Sequence, residues 1–460
     1  MSERRDGRSR AGKLGLITLL GFLGLLLFIG FYDRAFPAAS IDLALSQSEV
    51  AQRADRYMED RNFDLAGYRS VQTFSGGGWA SIYLQRALGV SGMNDLIRET
   101  DIPIWYWNIR WFRPLEKEAY TISLAPDGEV VGFSHILREE APGASLSPEE
   151  ALALAEAYLT QDRGWALDDW ETVSVSSEDR PGGRTDHYFS WKRVDWDVGE
   201  SELRLSVTVK GAQVGYYDYW LKIPEAFQRN FNETAQVAGF VDGLSTSGAW
   251  ALFIVVLFWA AWRAGWKLPS LRAVPIAPAA AAAVVVALNS LNWLPLAEAW
   301  YDTTQRYSLF WLNQISGIFF NAVFSGIEIF LLWYLAHWMS QRVWPRQDRI
   351  LRRRGDRWRR LARSGWRGLM IGMIQGGYIV LFYFLATQVL GGWSPVGPDY
   401  SDAYATPLPF LSALRSGLLP ALSEELTYRL LGSAAVLWLL RTFTRLPERL
   451  NRLLALLVPG

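Results

Sequence analysis

Apolar and polar positions follow two different patterns along this chain. Residues 14–32 form an uninterrupted apolar run, and most of the chain after residue 247 is apolar as well. Residues 35–245 instead alternate between apolar and polar positions, as half-buried strands and amphipathic helices do. These two patterns predict at least two domains, a polytopic all-α membrane bundle and an inserted α+β domain.

Six apolar blocks are long enough to be membrane-spanning helices, since about 20 residues cross the hydrocarbon core. They cover approximately residues 14–32, 247–264, 273–293, 308–339, 368–391 and 408–440. A cleaved signal peptide is the alternative for the first block, but the apolar region of a signal peptide is usually shorter. The length of the first block therefore favours a retained anchor.

The positions of Lys and Arg predict the orientation of the chain in the membrane. The N-terminal tail is basic, and residues 342–367 contain eleven Arg against two Asp. Because such loops remain in the cytoplasm, residues 35–245 are predicted to be extracytoplasmic, in a plasma membrane of bacterial type. A nucleic-acid patch is the weaker alternative for the basic loop, because the loop directly joins two apolar blocks. The predicted partners include the lipid bilayer and exclude nucleic acid.

The sequence predicts three segments along the chain. Residues 1–34 are a cytoplasmic tail and the first anchor, residues 35–245 are the extracytoplasmic domain, and residues 246–460 are the transmembrane domain. Residues 451–460 begin a further apolar run of about half the length needed to cross a bilayer. The transmembrane domain is therefore expected to be incomplete, in a fragment or an early-terminated product.

The extracytoplasmic domain is predicted to contain two copies of one unit, at about residues 40–140 and 141–235. Each copy begins with a serine, Ser46 or Ser147, that is followed three residues later by Glu. This is the capping-box arrangement of a helix start. Each copy continues with an aromatic strand and a hairpin. In the first copy the strand is Trp105–Phe112 and the hairpin turns at Asp127-Gly128. In the second copy the strand is Tyr188–Trp196 and the hairpin turns at Lys210-Gly211.

A helix followed by antiparallel strands, present twice, resembles a pair of PepSY-like modules. Such modules occur in extracytoplasmic proteins and are often attached to proteases. An unrelated α+β domain is an equal alternative for this pattern. His135 and His187 lie near the predicted strands, and they are assigned no function.

Reactive side chains are restricted by the absence of Cys from the sequence. Disulfides, thiolate nucleophiles and Cys-ligated metals are therefore excluded, and His, Asp and Glu remain as candidates. In the last apolar block, Glu424, Glu425 and Arg429 interrupt the apolar run. Ionised groups at membrane depth cost several kcal/mol unless they face a protein or water-filled interior. The three charges are therefore a candidate functional site.

The spacing of the three charges suggests different roles for the two glutamates. On a helix Glu425 and Arg429 are four residues apart and can pair, whereas Glu424 points about 100° away from Glu425. Glu424 is then the less neutralised acid and the better candidate base, since a buried carboxylate can take and return a proton near neutral pH. A structural ion pair near the cytoplasmic interface is the alternative interpretation.

The Glu-Glu-x-x-x-Arg motif, preceded by Pro420 and followed by Gly432, resembles the first motif of the CAAX prenyl endopeptidase type II and bacteriocin-processing family, also called CPBP or Abi. The resemblance covers the last quarter of the chain closely and the membrane half loosely. It implies an intramembrane endopeptidase that cleaves a membrane-associated protein or peptide. It also implies that Glu424 activates water, that Glu425 is a supporting acid or a metal ligand, and that Arg429 orients the site.

Two further motifs of that family are missing, an aromatic residue four before His and a His four before Asn or Asp. No His follows His337, so the chain as given is expected to be inactive, and a divalent metal ion as cofactor stays an open question. Trp333 and His337 have the spacing of the aromatic-and-His motif, but they precede the glutamates. The role of that motif is therefore not assigned to them. Glu328, also inside an apolar block, either lines the same cavity or forms a hydrogen bond within the bundle.

Two rival functions remain for the chain. The first is the endopeptidase with a regulatory or substrate-binding outer domain. The second is a membrane-anchored receptor or scaffold without catalytic activity. A transporter ranks below both, because the six blocks show no internal symmetry.

Overall fold

Helices and one antiparallel sheet make up most of a computed structural model of the chain, which describes residues 2–100, 102–263, 269–345, 357–390, 392–393, 395 and 401–457. The chain divides into two compact units. The first unit contains Met1–Gln228, Ala299–Arg306 and Asp356–Ala405, and the second contains Arg229–Glu298, Tyr307–Gly355 and Thr406–Gly460.

The α-helices are, in chain order, α1 (Ser2–Ala35), α2 (Gln47–Asp60), α3 (Gly78–Glu99), α4 (Pro148–Ala157), α5 (Glu225–Arg263), α6 (Ala277–Trp293), α7 (Tyr307–Val343), α8 (Arg357–Gln388), α9 (Phe410–Glu424), α10 (Ser433–Phe443) and α11 (Glu448–Leu457). Two π-helical segments cover Tyr158–Asp162 and Glu425–Gly432. Short 3₁₀ helices cover Pro37–Ser40, Leu167–Asp169, Leu271–Ala273, Leu294–Trp300 and Ser401–Ala405.

The first unit contains an antiparallel sheet of eight strands. The strands are β1 (Arg69–Gly76), β2 (Trp105–Phe112), β3 (Ala119–Leu124), β4 (Val130–Ile136), β5 (Trp170–Asp179), β6 (Thr185–Arg193), β7 (Glu202–Lys210) and β8 (Gln213–Lys222). Their order in the sheet is β1-β2-β3-β4-β8-β7-β6-β5. Four strands from each half of the predicted domain therefore meet at the pair β4–β8, and the predicted antiparallel strand content is confirmed.

Helix caps and glycine turns appear where the sequence predicts them. Ser46 and Ser147 each accept a hydrogen bond from the backbone three residues later and complete a capping box, at the start of α2 and α4. Gly128 and Gly211 have positive φ angles, 91° and 64°, in the tight turns of the β3–β4 and β7–β8 hairpins. Glycine adopts this conformation without steric cost.

The sheet core is a row of directly opposed apolar residues that share one face. We call this the apolar row, and its members are Ile109, Ile122, Phe133, Tyr217, Val207 and Phe189. All six are buried. Tyr57 of α2 packs against Phe133 with ring centroids 5.7 Å apart, and α2 and α4 both contact the sheet. The polar positions of the same strands consequently point to the other face.

His135 and His187 have structural contacts within the sheet unit. The His135 ring stacks on Tyr120 at 4.2 Å between centroids, and its Nε2 lies 2.9 Å from a Glu118 oxygen. Burial lowers the pKa of His135 despite this neighbouring carboxylate. His187 is hydrogen-bonded to the Ser177 hydroxyl at 2.7 Å and to the Leu146 carbonyl at 3.0 Å.

Five described helices are long and apolar enough to cross a membrane, by length and composition. They are Leu14–Ala35, Glu225–Arg263, Ala277–Trp300, Tyr307–Val343 and Ala362–Gln388. These correspond to the first five predicted blocks. The sixth block, 408–440, is helical but is divided into α9, a π segment and α10, and it is not among these five.

Part of the predicted basic loop, residues 346–356, lies outside the described residues. Of the rest, residues 342–343 end α7 and residues 357–367 begin α8. Of the predicted final apolar run, residues up to 457 belong to α11, whereas 458–460 lie outside the described residues. Asn451 and Ala455 of α11 are buried, and the helix packs against α10.

Glycines allow α1 and α8 to approach each other closely. A Cβ atom built on Gly24 would lie 2.4 Å from the Met373 carbonyl oxygen, and one built on Gly377 would lie 2.5 Å from the Gly24 oxygen. Real side chains do not tolerate such distances, so the two backbones are in direct contact. Small residues at such an interface are typical of helix pairs in membranes.

We expect Gly24→Leu to destabilise the α1–α8 pair, because the new side chain cannot fit between the two backbones. Overpacking of this kind lowers the free energy of unfolding by about 1–3 kcal/mol, measurable by denaturation of the detergent-solubilised protein. Gly15→Leu is the matched control, since a Cβ atom there meets nothing within 4 Å. Equal stability of the two variants would contradict the contact.

Candidate active site

The Glu-Glu-x-x-x-Arg motif is located at a change of helix type. Glu424 is the last residue of α9, and Glu425 and Arg429 belong to the π-helical segment Glu425–Gly432, which continues into α10. Pro420 lies one turn earlier inside α9, where it has no N–H group to donate to the helix. Short π segments are rare and are frequently found at functional sites.

The apolar side of the π segment packs into the second unit. Leu426, Thr427, Leu431 and Gly432 are buried, and Leu426 and Leu431 join an apolar cluster that includes Met339 of α7. This packing holds the segment in one rotational position. The opposite side of the segment, which carries the charges, is consequently turned away from the cluster.

Glu425 and Arg429 form the ion pair that their spacing predicts. The Arg429 side chain is 75% exposed and the Glu425 side chain 53% exposed. Glu424 is exposed too, and its carboxylate has no hydrogen bond or ion pair with any residue that the structure describes. The expected difference between a paired and an unpaired glutamate is therefore present. The two carboxylates are not buried by the described residues, contrary to the expectation from the sequence.

A groove lies beside the motif, between α5 and the π segment with α10. Its cavity volume is about 430 Å³. The lining residues are mostly apolar and are Ser245, Thr246, Trp250, Leu252, Phe253, Val256, Thr427, Tyr428, Gly432, Ala435, Val436 and Leu439. Thr427 and Tyr428 lie within the motif itself, so the groove and the carboxylates share one helical segment.

Metal ligands do not converge at the motif in the part of the chain that the structure describes, where no group of three or more His, Asp or Glu side chains is placed to hold a metal ion. His337 of α7 is half-buried, and its Nε2 is 2.9 Å from the Gln341 amide nitrogen. Glu328, which the sequence suggests as a further cavity residue, is exposed on α7 and does not line the groove.

The groove and the π segment were not predictable from the motif alone. Residues 425 and 429 are close neighbours on both an α-helix and a π turn, so their spacing does not distinguish the two. Pro420 is the one local signal of an irregular helix. The contribution of α5 to the groove has no local signal, because it depends on tertiary packing.

No protein-family model, no curated protein and no solved structure matches this chain. The resemblances to the CPBP family and to PepSY-like modules therefore stay predictions that rest on the quoted residues.

We expect Leu431→Ala to destabilise the second unit, because the Leu431 side chain has no exposed surface and its removal leaves a cavity against α7. Replacing a buried leucine by alanine lowers the free energy of unfolding by about 2–5 kcal/mol, measurable by denaturation in detergent. Leu414→Ala on α9, where the side chain is 45% exposed, is the control and should have a much smaller effect. A reversed order would show that the π segment faces the other way.

Proposed function

We propose that the second unit is an intramembrane endopeptidase of the CPBP type, which hydrolyses peptide bonds of a membrane-associated protein or peptide. One observation carries this proposal: the unpaired Glu424 ends α9 directly before the paired Glu425, which begins a π segment that also lines an apolar groove. Resemblance of the motif to that family supports the same reaction class.

Glu424 is the proposed general base. Its unpaired carboxylate takes a proton from a water molecule, and the hydroxide oxygen adds to the carbonyl carbon of the substrate. The C–N bond then breaks, and the same proton passes from Glu424 to the leaving nitrogen. Glu425, oriented by its ion pair with Arg429, supports the geometry of this exchange. The described side chains do not fit a metal centre, so no step is assigned to a metal ion.

The groove is the proposed binding site for an apolar segment of the substrate. Its lining is mostly apolar, and apolar lining with a few placed polar groups is typical of ligand sites. Thr427 and Tyr428, which belong to the motif, are among the polar groups of the lining. A substrate segment in this groove would present its backbone to Glu424.

A membrane location is the proposed setting for this chemistry. The five long apolar helices expose large side chains such as Leu19, Ile254 and Phe319, and exposed apolar surface of this extent suits contact with lipid. The basic loops are proposed to be cytoplasmic and residues 35–245 to be extracytoplasmic. The proposed role of residues 35–245 is to regulate activity or to bind substrate.

A second candidate function is a membrane-anchored receptor without catalytic activity. The observation in its favour is a polar cavity in the sheet of the first unit, lined by a carboxylate that has no cationic partner among the described residues. A protein that shows no peptide hydrolysis but retains binding at that cavity would support the receptor.

We expect Glu424→Gln to abolish peptide hydrolysis by the full chain in proteoliposomes, because glutamine cannot accept the proton. Loss of a general base reduces the rate by about 10²–10⁴-fold. The assay follows cleavage of a library of membrane-anchored peptides by mass spectrometry. Glu233→Gln is the control, since this exposed α5 glutamate does not line the groove, and its rate should equal that of the unmodified protein.

The proposed steps use no histidine, so this chain should cleave peptides although the missing family motifs imply an inactive one. Absence of cleavage by the unmodified chain, or equal rates for Glu424→Gln and Glu233→Gln, would refute the endopeptidase. The ion pair has its own readout. Arg429→Ala should change the free energy of unfolding by less than about 1 kcal/mol, because exposed pairs contribute little, yet it should reduce the cleavage rate. A loss of stability without a loss of rate would indicate a purely structural ion pair.

A further inference from the structure

Small polar residues form a row across the sheet of the first unit, on the face opposite the apolar row. Residues directly opposed on neighbouring strands share a face, so the strand register places one residue from each strand in this row. We call it the polar row, and its members are Thr73, Asn108, Ser123, Gly132, Asp218, Ser206, Ser190 and Ser174. Asp218 is its charged member and occupies the junction between the two halves of the sheet.

A cavity of about 440 Å³ lies over one half of the polar row. Asn108, Ser123 and Asp218 of the row contribute to its lining, and the aromatic side chains of Tyr106 and Trp220 lie beside them. The Trp220 Nε1 donates a hydrogen bond to the Ser206 hydroxyl at 3.1 Å, which fixes the position of the indole ring. The cavity therefore combines a carboxylate with aromatic walls.

Asp218 lacks a cationic partner within the described part of the chain. Tyr216 donates a hydrogen bond to its carboxylate at 3.1 Å, but no described Lys, Arg or His pairs with it or lines the cavity. Burial raises the pKa of Asp218 to about 6. A shielded carboxylate without a counter-ion is unfavourable, and a ligand that carries a positive charge would relieve this cost.

The surrounding groups favour a cation at the Asp218 end of the cavity. Faces of aromatic rings attract cations electrostatically, and Tyr106 and Trp220 provide two such rings. Helix α3 begins at Gly78 on the rim, and a helix N-terminus carries a partial positive charge. A cation is therefore disfavoured at the α3 rim of the cavity and favoured beside Asp218.

We propose that this cavity binds a primary ammonium group, with Asp218 as its counter-ion and the rings of Tyr106 and Trp220 as its walls. The ammonium group belongs either to a small alkylamine or to a lysine side chain of a peptide. In the second case, the polar row offers small hydroxyl and amide groups to an extended backbone across the sheet. This binding function is independent of the proposed endopeptidase.

The test is titration of the detergent-solubilised full chain with each probe, with binding measured by isothermal titration calorimetry. The probes are n-butylammonium chloride and the capped peptide Ala-Ala-Lys-Ala-Ala, with the same peptide carrying norleucine in place of lysine as the uncharged control. We expect both ammonium probes to bind and the norleucine peptide not to bind. Tighter binding of the lysine peptide than of butylammonium would identify a peptide as the source, and equal binding would identify a free amine.

Two variants separate the charge from the aromatic walls. Asp218→Asn keeps the side-chain shape and should weaken ammonium binding roughly tenfold or more, as expected for loss of a charge-assisted hydrogen bond. Trp220→Ala should weaken it roughly two- to tenfold through the lost cation–π contact. Asp168→Asn, at an exposed aspartate, should leave binding unchanged. Circular dichroism of each variant checks that the protein is folded.

Equal binding of lysine and norleucine peptides, or undiminished binding to a folded Asp218→Asn variant, would overturn the proposal.

Ammonium binding should also depend on pH. As the pH falls from 7.5 through 6 the Asp218 carboxyl gains a proton and loses its charge, so the affinity should decrease. The titratable groups that face it, Tyr216 on β8 and Tyr106 on β2, have pKa values raised by burial and stay neutral over this range. The opposed residues Gly132 and Ser206 do not titrate. Asp218→Asn should remove the dependence, and a flat profile in the unmodified protein would contradict the role of Asp218.

Discussion

The pairing of β4 with β8 is the contact on which the first unit depends, and it consists of three residue pairs, Gly132–Asp218, Phe133–Tyr217 and Ser134–Tyr216. Without these pairs, each four-stranded half would expose the unpaired N–H and C=O groups of an edge strand, which favours association with other chains. The same register brings Phe133 and Tyr217 together in the apolar row. It also sets Asp218 opposite a residue that has no side chain, which leaves space above the carboxylate.

The helix starts and hairpins of the sheet unit could be predicted because their signals are local. Ser46 and Ser147 with their glutamates, and the turn glycines, act through residues no more than four positions apart. Strand β5 was missed because nine of its ten residues are exposed, so it has no buried face to impose a clear alternation. Strand β1 and helix α3 were missed too. Helix α3 is kinked at Gly89, whose φ is 73°, which interrupts the helical period.

At the Glu-Glu-x-x-x-Arg motif, the ion pair was predictable from the sequence and the surroundings of the motif were not. The spacing of Glu425 and Arg429 predicted their ion pair correctly, since such pairs form between neighbours on one helix. The burial expected for the motif did not follow from its position in an apolar block. An apolar block contains both inward and outward positions, and the packing of Leu426 and Leu431 against α7 turned the carboxylates outward. Only the tertiary contacts of the π segment decide which side of the helix is covered.

The two four-stranded halves of the sheet have matching strand orders, but the polar row contains one carboxylate. The β4–β8 pairing is centred on Phe133 and Tyr217, so a two-fold axis through that pair would relate Asp218 to Ser134. Serine carries no charge, and the first half therefore has no counterpart of the anionic group. A doubled scaffold with one charged position implies a stoichiometry of one cation per chain.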